Sequence, residues 1–282
     1  MDYEYRFLIY GADIVKFAER SKPAKGTEVG NDKSELTELK ARDASCPNGK
    51  KMDERKEQQK YEVMEVKMIE LRQEIPCDHR DTENVIREAF WNHYTPACND
   101  HYLIHIMRDC PAFVPELDIV AVEDGRIIGN SMCLKSYIVG DDGKYYEVLS
   151  LGPIGVLPEY QHQGIGGRLI ARTKEIAKEL SFRGILLCGD PDYYTRQGFI
   201  SAEKYEIRNA ENMYADALLA CELYQGAFSE ISGCYYEDEI YNVDENCVKE
   251  FDKQFPTKEI VYGTPMQKKF EMMIERVKPC QR

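Results

Sequence analysis

From Met68 onward the hydrophobic positions fall into short blocks whose period switches between that of a strand and that of a helix. Ile69 and Leu71 alternate with charged neighbours, as in a strand with one buried face. Asp81 is placed to cap a helix in which Val85, Ile86, Ala89 and Phe90 share a face, and Asn99 to cap a second helix containing Tyr102, Leu103 and Ile106. Leu117 to Val122 reads as a strand, and Asp124-Gly125 as a hairpin turn returning the chain over 126–139. A second Asp-Gly pair, Asp142-Gly143, turns it again into a strand over 144–156, so two hairpins give three antiparallel strands. Gly164 to Leu180 predicts a helix with Ile165, Leu169, Ile170, Ile176, Ala177 and Leu180 on its apolar stripe. Ile185 to Cys188 is a compact buried strand, followed by a short helix over 191–196 and a strand near 204–207. The order β-α-α-β-β-β-α-β-α-β predicts an α+β fold, a mixed and mostly antiparallel sheet flanked by helices.

The two ends of the chain read differently. Beyond Leu223, Ile231 to Tyr236 is expected to be a last strand closing the sheet. Pro265 to Val277 is expected to be a helix with Phe270, Met273, Ile274 and Val277 on one face. Glu237-Asp238-Glu239 and Asp244-Glu245 make this tail acidic, a surface that would steer cationic amines. Upstream, Glu19 to Lys60 is polar and interrupted by Pro23, Gly26, Gly30, Pro47 and Gly49, the composition of a weakly ordered segment. The expected division is therefore a polar extension over 1–67 without a readable motif, a domain over 68–222, and a C-terminal strand, acidic segment and helix over 223–282 packing on it.

Composition narrows the function. The 282 residues suit one main domain with appendages, at roughly 100–200 residues per domain. Fifty acidic against 37 basic residues leave a net charge of -13, which argues against nucleic acid as a partner. No apolar run approaches the roughly 20 residues of a membrane span, and no opening segment reads as a signal peptide. The ten cysteines contain no C-x-x-C pair, so neither a zinc ribbon nor a small disulfide scaffold is expected. His101 and His105 have the i, i+4 spacing of a helical metal pair but lack the His-Glu-x-x-His context; they are expected on the helix surface, with no metal. A soluble, acidic, cytoplasmic protein with reduced thiols is the expectation.

The chemistry concentrates in Ile154-Gly155-Val156-Leu157-Pro158-Glu159-Tyr160-Gln161-His162-Gln163-Gly164-Ile165-Gly166-Gly167. A strand ends at Val156, Pro158 breaks it, and a glycine-rich turn opens a helix whose unpaired N–H groups and partial positive charge attract phosphate. The spacing is not Gly-x-Gly-x-x-Gly, and no Gly-Lys-Ser/Thr follows, so a dinucleotide fold and a nucleotide P-loop both fit poorly.

This stretch resembles motif A of the GNAT superfamily of N-acetyltransferases, Gln/Arg-x-x-Gly-x-Gly/Ala, here Gln161-His162-Gln163-Gly164-Ile165-Gly166 preceded by Val156-Leu157-Pro158. The resemblance covers about residues 68–208 and extends to the order of elements. It implies acetyl-CoA as cosubstrate, with its pantetheine and acetyl carbonyl on the backbone of Ile154 and Val156. It also implies that the pyrophosphate lies on the loop of Gln161, His162, Gln163, Gly164, Ile165, Gly166 and Gly167, held by amides rather than side chains. A tyrosine four residues before Gly-Phe, here Tyr194 before Gly198-Phe199, is implied as the acid that protonates the leaving thiolate, with Tyr193 as the internal control. Asp190 and Pro191 are suited to start the short helix that carries it. The Val156 amide is implied as the oxyanion donor. Where some members carry a glutamate base this chain has Ser150, with Glu147 upstream, so water or Glu147 is left as the base. Trp91, His93, Tyr94 and Tyr102 lie where the family shapes its acceptor pocket. The function implied is transfer of an acetyl group to a primary amine of a small molecule by direct attack. A non-catalytic CoA-binding module and an enzyme acting on protein amines stand as alternatives, and a homodimer is left open.

Overall fold

Two Asp-Gly turns frame the sheet. Asp124 and Gly125 have φ of +49° and +78°, the left-handed pair of a type I′ hairpin. They join β2 (Ile119–Glu123) to β3 (Arg126–Gly140). Gly143, at φ +78°, closes the next turn into β4 (Tyr145–Val156). The structure is a computed structural model that describes residues 68–280, so expectations for the extension over 1–67 lie outside the described residues. In the main sheet β1 (Ile69–Gln73), β2, β3 and β4 are neighbours in antiparallel sequence. β5 (Gly184–Cys188) lies parallel to β4, and β9 (Leu218–Glu222) is antiparallel to β5. β6 (Ile200–Ser201) closes that edge on β9. The mixed, mostly antiparallel sheet is the expected α+β architecture.

The period of two sorts side chains to two cores. On β4 and β5, Val148, Leu186 and Cys188 join one core, while Leu149, Leu151, Ile185 and Leu187 join the other. The first core is covered by α1 (His79–Phe90) and α2 (Asp100–Met107), through Ile86, Phe90, Leu103, Ile104 and Met107. The second is covered by α3 (Ile165–Glu179), whose Ile165, Leu169, Ile170 and Ala177 form the predicted stripe. Gly155 fits α1 closely: a Cβ there would stand 2.8 Å from Ile86, 3.1 Å from Ala89 and 3.2 Å from Phe90.

The structure corrects several expectations. α1 begins at His79, and Asp81 lies inside its first turn rather than capping it. Asp78 organises that end, accepting from the Ile75 N–H at 2.9 Å and pairing with Arg72 at 2.6 Å. Pro115, with no N–H to give a ladder, opens a 3-10 turn that includes Leu117, so β2 starts only at Ile119. Lys204 lies in a 3-10 turn over Ala202–Tyr205; Glu206 at φ +55° then leads into a short β7 (Ile207–Arg208). β10 (Gly233–Tyr236) does not close the sheet at an outer edge. It pairs with the far half of β3, beside β7, where β2 has already ended. The last helix, here α6 (Pro265–Ile274), stops before Val277, which enters β11 (Val277–Pro279) and pairs with β8 (Met213–Ala215). α5 (Glu245–Asp252), capped by Asp244, was not expected.

Candidate active site

The site begins where two strands part. β4 and β5 pair only at Leu149–Ile185 and Ser150–Leu186; beyond Ser150, β4 stays with β3 and turns away from β5. Leu157 donates its N–H to Ile128 on the β3 side at 2.9 Å. Successive residues of a strand aim their N–H groups at alternate edges, so the amides of Val156 and Ile154 face the opened β5 side. Pro153, just before Ile154, has no N–H. A split sheet thus presents a short stretch of unpaired backbone to a cleft.

The glycine loop closes the mouth of the same cleft. Gly164 caps α3 at φ +81°, and the first intrahelical bond runs from the Arg168 N–H to Gly164 O at 3.0 Å. The N–H groups of Ile165, Gly166 and Gly167 therefore precede any intrahelical acceptor and remain at the helix start. Space around Gly164 is open, with nothing within 4 Å of a built Cβ. Loop side chains hold the backbone rather than face a ligand. Gln161 Nε2 donates to Val156 O at 3.0 Å, tying the loop to the end of β4, and Gln163 Nε2 donates to Glu159 O at 3.2 Å. His162 takes φ +63° and is exposed. Open amides, positive helix polarity and room for a bulky anion fit a pyrophosphate.

Ala89, Phe90 and His93 from the end of α1, Ile154, Gly155 and Val156 from β4, and Gln161, Gly166 and Tyr193 line this cleft. Tyr193 belongs to α4 (Pro191–Tyr194), whose cap Asp190 accepts from the Asp192 N–H at 3.0 Å. Lys269 of α6 pins that cap with an ion pair of 2.5 Å to Asp190. The two tyrosines of α4 have different surroundings. Tyr193 stands on the cleft wall, whereas Tyr194 has 0% exposure and its ring lies over Gly189, edge-on to Phe199. Of the residues expected at the thioester, the structure gathers Ile154, Val156, Gln161, Gly166 and the unselected Tyr193 around one cleft, and sets Tyr194 in the core beneath it.

The α1 side of the split is walled by the C-terminal residues. Phe270 of α6 packs against Tyr94 with ring centroids 5.3 Å apart, and Gln267 Nε2 donates to Asn92 O at 3.2 Å. Of Trp91, His93, Tyr94 and Tyr102, only His93 lines the cleft. Burial lowers its basicity, which favours the neutral ring. Trp91 stacks on Arg87 at 4.3 Å and donates to Glu259 O, while Tyr102 packs on Phe251. Glu147 pairs with Lys135 at 3.9 Å near the outer end of the hairpin, where β4 faces Tyr137, and does not line the cleft. Ser150 is buried and bonded to Ser136 at 2.6 Å and to the Tyr235 hydroxyl. His101 is not on the surface: it is fully buried, 3.1 Å from Asp252, and burial lowers its pKa to about 4. Among the described residues no three His, Cys, Asp or Glu side chains converge as metal ligands would.

Sequence reasoning passed over Glu237, which it places in an acidic tail. Glu237 follows β10 and is half-buried. Its charge raises the pKa of Cys188 at the end of β5 and of Tyr235 and Tyr241, each already pushed up by burial. Tyr241 in turn donates to Gly152 O at 3.1 Å. Burial pushes its own pKa up to about 7. Its place is set by the pairing of β10 with β3, which no spacing rule predicts.

A split mixed sheet with an open, glycine-rich helix start at its mouth defines the class of domain. The family model "Acetyltransferase (GNAT) family" matches residues 82–199. The uncharacterized N-acetyltransferase YhbS of Escherichia coli K12 is 26% identical over 139 residues, covering 49% of this chain and 77% of that protein. The uncharacterized N-acetyltransferase YjhQ of the same strain is 31% identical over 86 residues, 30% of this chain; the match spans about half, 46%, of that relative. Among solved structures, the E. coli GNAT family N-acetyltransferase YhbS in complex with CoA superposes with a TM-score of 0.58 at 21% identity, covering 65% of this chain and 97% of that one. A Brucella melitensis GNAT family acetyltransferase in complex with acetyl-CoA gives 0.51 at 24% identity, covering 62% and 98%. The fold is shared with both. The chain carries a domain of the GNAT acetyltransferase family.

Proposed function

We propose that this domain transfers the acetyl group of acetyl-CoA to a primary amine of a small molecule by direct attack. The observation that carries the reading is a single cleft onto which both the freed β4 edge at Ile154–Val156 and the open helix start at Gly164–Gly167 face. Bound acetyl-CoA supplies an acetyl group already activated as a thioester. The amides of the glycine loop hold the pyrophosphate, and the Val156 N–H faces the oxygen on which negative charge develops. A tyrosine of α4 gives the proton that the leaving sulfur takes up. The resemblance names Tyr194 for this role. We assign it to Tyr193, because a ring with no accessible surface reaches a ligand only by moving. The nine cysteines among the described residues are free thiols, which supports a reducing compartment such as the cytoplasm. No helix among the described residues is long and apolar enough to cross a membrane.

Calorimetry with acetyl-CoA, followed by thiol release with a panel of primary alkylamines, arylalkylamines and polyamines, tests the reading. Micromolar binding and amine-dependent thiol release are expected. Binding without release to any amine would leave a CoA-binding module and defeat the transferase reading.

A further inference from the structure

Direct attack requires a neutral amine, yet a primary amine in water at pH 7 is almost wholly ammonium, with a pKa of about 10. A base must therefore stand in the cleft itself, with a lone pair that no neighbour occupies. Among the residues that line the cleft, His93 and Tyr193 are the two that titrate, and none carries a fixed charge. His93 is set there by the loop that follows α1. Asn92, the residue before it, takes φ +58°, a left-handed conformation that asparagine tolerates. Each polar atom of Asn92 is engaged. Its N–H donates to Ala97 O at 2.9 Å, and its Oδ1 accepts from the N–H groups of Ala97 and Val261, both at 3.0 Å. Its Nδ2 donates to Glu259 O at 2.8 Å, and its carbonyl accepts from Gln267 Nε2 at 3.2 Å. A left-handed residue held from so many sides fixes the course of the chain into His93. The His93 N–H then donates back to Phe90 O at 2.9 Å, and its ring stands edge-on to Tyr94 with centroids 4.4 Å apart. The imidazole is half-buried, and among the described residues neither ring nitrogen has a hydrogen-bond or ion-pair partner.

We propose that His93 is the general base that takes a proton from the acceptor nitrogen, an inference that rests on the transferase reading above. The titratable groups beside it are Tyr94, which its ring touches, and Tyr193 across the cleft. The charges on the surrounding elements are paired elsewhere: Lys258 with Glu88 at 2.7 Å, and Lys269 of α6 with Asp190 at 2.5 Å. Burial holds the ring below the ordinary imidazole range, so at pH 7 it is neutral and keeps one lone pair free. The apolar lining of Ala89, Phe90 and Ile154 also disfavours the charged form of a bound amine, which draws its pKa toward that of the ring.

The protons balance as follows. One passes from the ammonium nitrogen to the free ring nitrogen of His93, directly or through one water. The nitrogen lone pair forms the C–N bond on the acetyl carbon. The C–S bond breaks with its electron pair going to sulfur, which takes the Tyr193 proton. The second nitrogen proton restores Tyr193, the third stays on the amide, and the imidazolium returns its proton to solvent. Because the base must be neutral, the rate rises with pH through the lowered His93 pKa and then stays level toward the pKa of the amine.

His93→Gln keeps a polar side chain and removes the base. Three measurements on the full chain test the proposal: acetyl-CoA affinity, the pH profile of thiol release with phenethylamine, and rescue of His93→Ala by added imidazole. The expected result is nearly unchanged acetyl-CoA affinity and a kcat/KM at pH 7 lowered roughly 10²-fold. The wild-type profile should be level between about pH 7 and 9, whereas that of His93→Gln should climb about tenfold per pH unit with the fraction of free amine. Imidazole should raise the turnover of His93→Ala about tenfold and leave the wild type unchanged, a response that a structural role would not give. His105→Gln, at an exposed histidine bonded to Glu83 at 2.9 Å, should change neither rate nor profile. A wild-type rate and profile in His93→Gln overturn the inference while leaving the transferase reading intact. A loss in His93→Ala that is constant with pH and that imidazole does not restore overturns it equally. Failure of the unmodified chain to bind acetyl-CoA, or to release thiol with any amine, overturns the transferase reading and with it the role of His93.

Discussion

Along β4, residues 154–156 line the cleft, whereas residues 150–152 are held from behind by hydroxyls brought from residues 235 and 241. The two stretches are adjacent on one strand but built by different means. The cofactor half is local, because one strand end, one turn and one helix start lie within 154–167 and glycine keeps the turn open. The acceptor half is assembled from α1, from the segment after β10 and from α6, joined by contacts such as Phe270 on Tyr94 and Arg87 with Asp252 at 2.6 Å. A backbone site tolerates changes of side chain and fails when a side chain intrudes. A side-chain site behaves the other way round, and this contrast orders the expected effects.

The largest effect is expected where a side chain enters the backbone half. Gly164→Glu places a carboxylate at an open helix start, where nothing lies within 4 Å of the new Cβ. Two like charges about 4 Å apart at an effective dielectric of about 20 repel by about 4 kcal/mol, roughly a thousandfold in affinity. Calorimetry should show acetyl-CoA binding lost while circular dichroism stays native. Gly164→Asn, which tolerates the positive φ of this cap and adds no charge, should retain most of the affinity. Equal losses in both variants would point to the turn conformation rather than to an anion site.

The next effect separates the two tyrosines. Tyr193→Phe removes a cleft hydroxyl and should lower turnover roughly 10²-fold with acetyl-CoA affinity nearly unchanged, the usual worth of one proton donor. Tyr194→Phe removes a hydroxyl within the core and should act mainly on stability, by about 1 kcal/mol. Full activity in Tyr193→Phe with a large loss in Tyr194→Phe would show that the buried ring swings into the cleft when ligand binds, and would return the acid to the residue the motif names.

The contrast between these neighbours shows how far sequence carries. The strands, the two Asp-Gly hairpins, the α3 stripe and the glycine loop were legible, because each is written in residues close along the chain. Motif spacing selects Tyr194, but spacing does not specify that its ring packs over Gly189 while the neighbouring Tyr193 lines the cleft; a four-residue helix followed directly by a 3-10 turn sets that. Glu237 was illegible for a different reason. It follows β10, whose pairing with β3 local periodicity does not encode. His101 looked like a surface residue because helical spacing says nothing about α5, which brings Asp252 over it.

A smaller effect is expected where the halves meet. Gly155 lies between the two amides of the cofactor half and directly under α1. Gly155→Val would press on Ile86, Ala89 and Phe90, and overpacking of this kind costs about 1–3 kcal/mol. Urea unfolding should show that loss with a lower midpoint and an unchanged slope. The variant should also displace Phe90 and so raise the KM for amine more than that for acetyl-CoA. A stability equal to wild type would mean that α1 is free to shift, and that the acceptor wall is not fixed by β4.

The smallest effect is expected at the one titratable side chain in the glycine loop. His162 sits between residues whose amides face the cleft, and its imidazole is tempting as an anion ligand. Its side chain is exposed and its backbone is at φ +63°, a conformation that glycine adopts without strain. His162→Gly should relieve about 1 kcal/mol of left-handed strain and lose about as much through the greater freedom of the unfolded chain. Stability should therefore stay within about 0.5 kcal/mol of wild type. Acetyl-CoA affinity should stay within about twofold, because the amide at this position is retained. A tenfold drop in affinity for His162→Gly would show that the cofactor half also relies on a side chain.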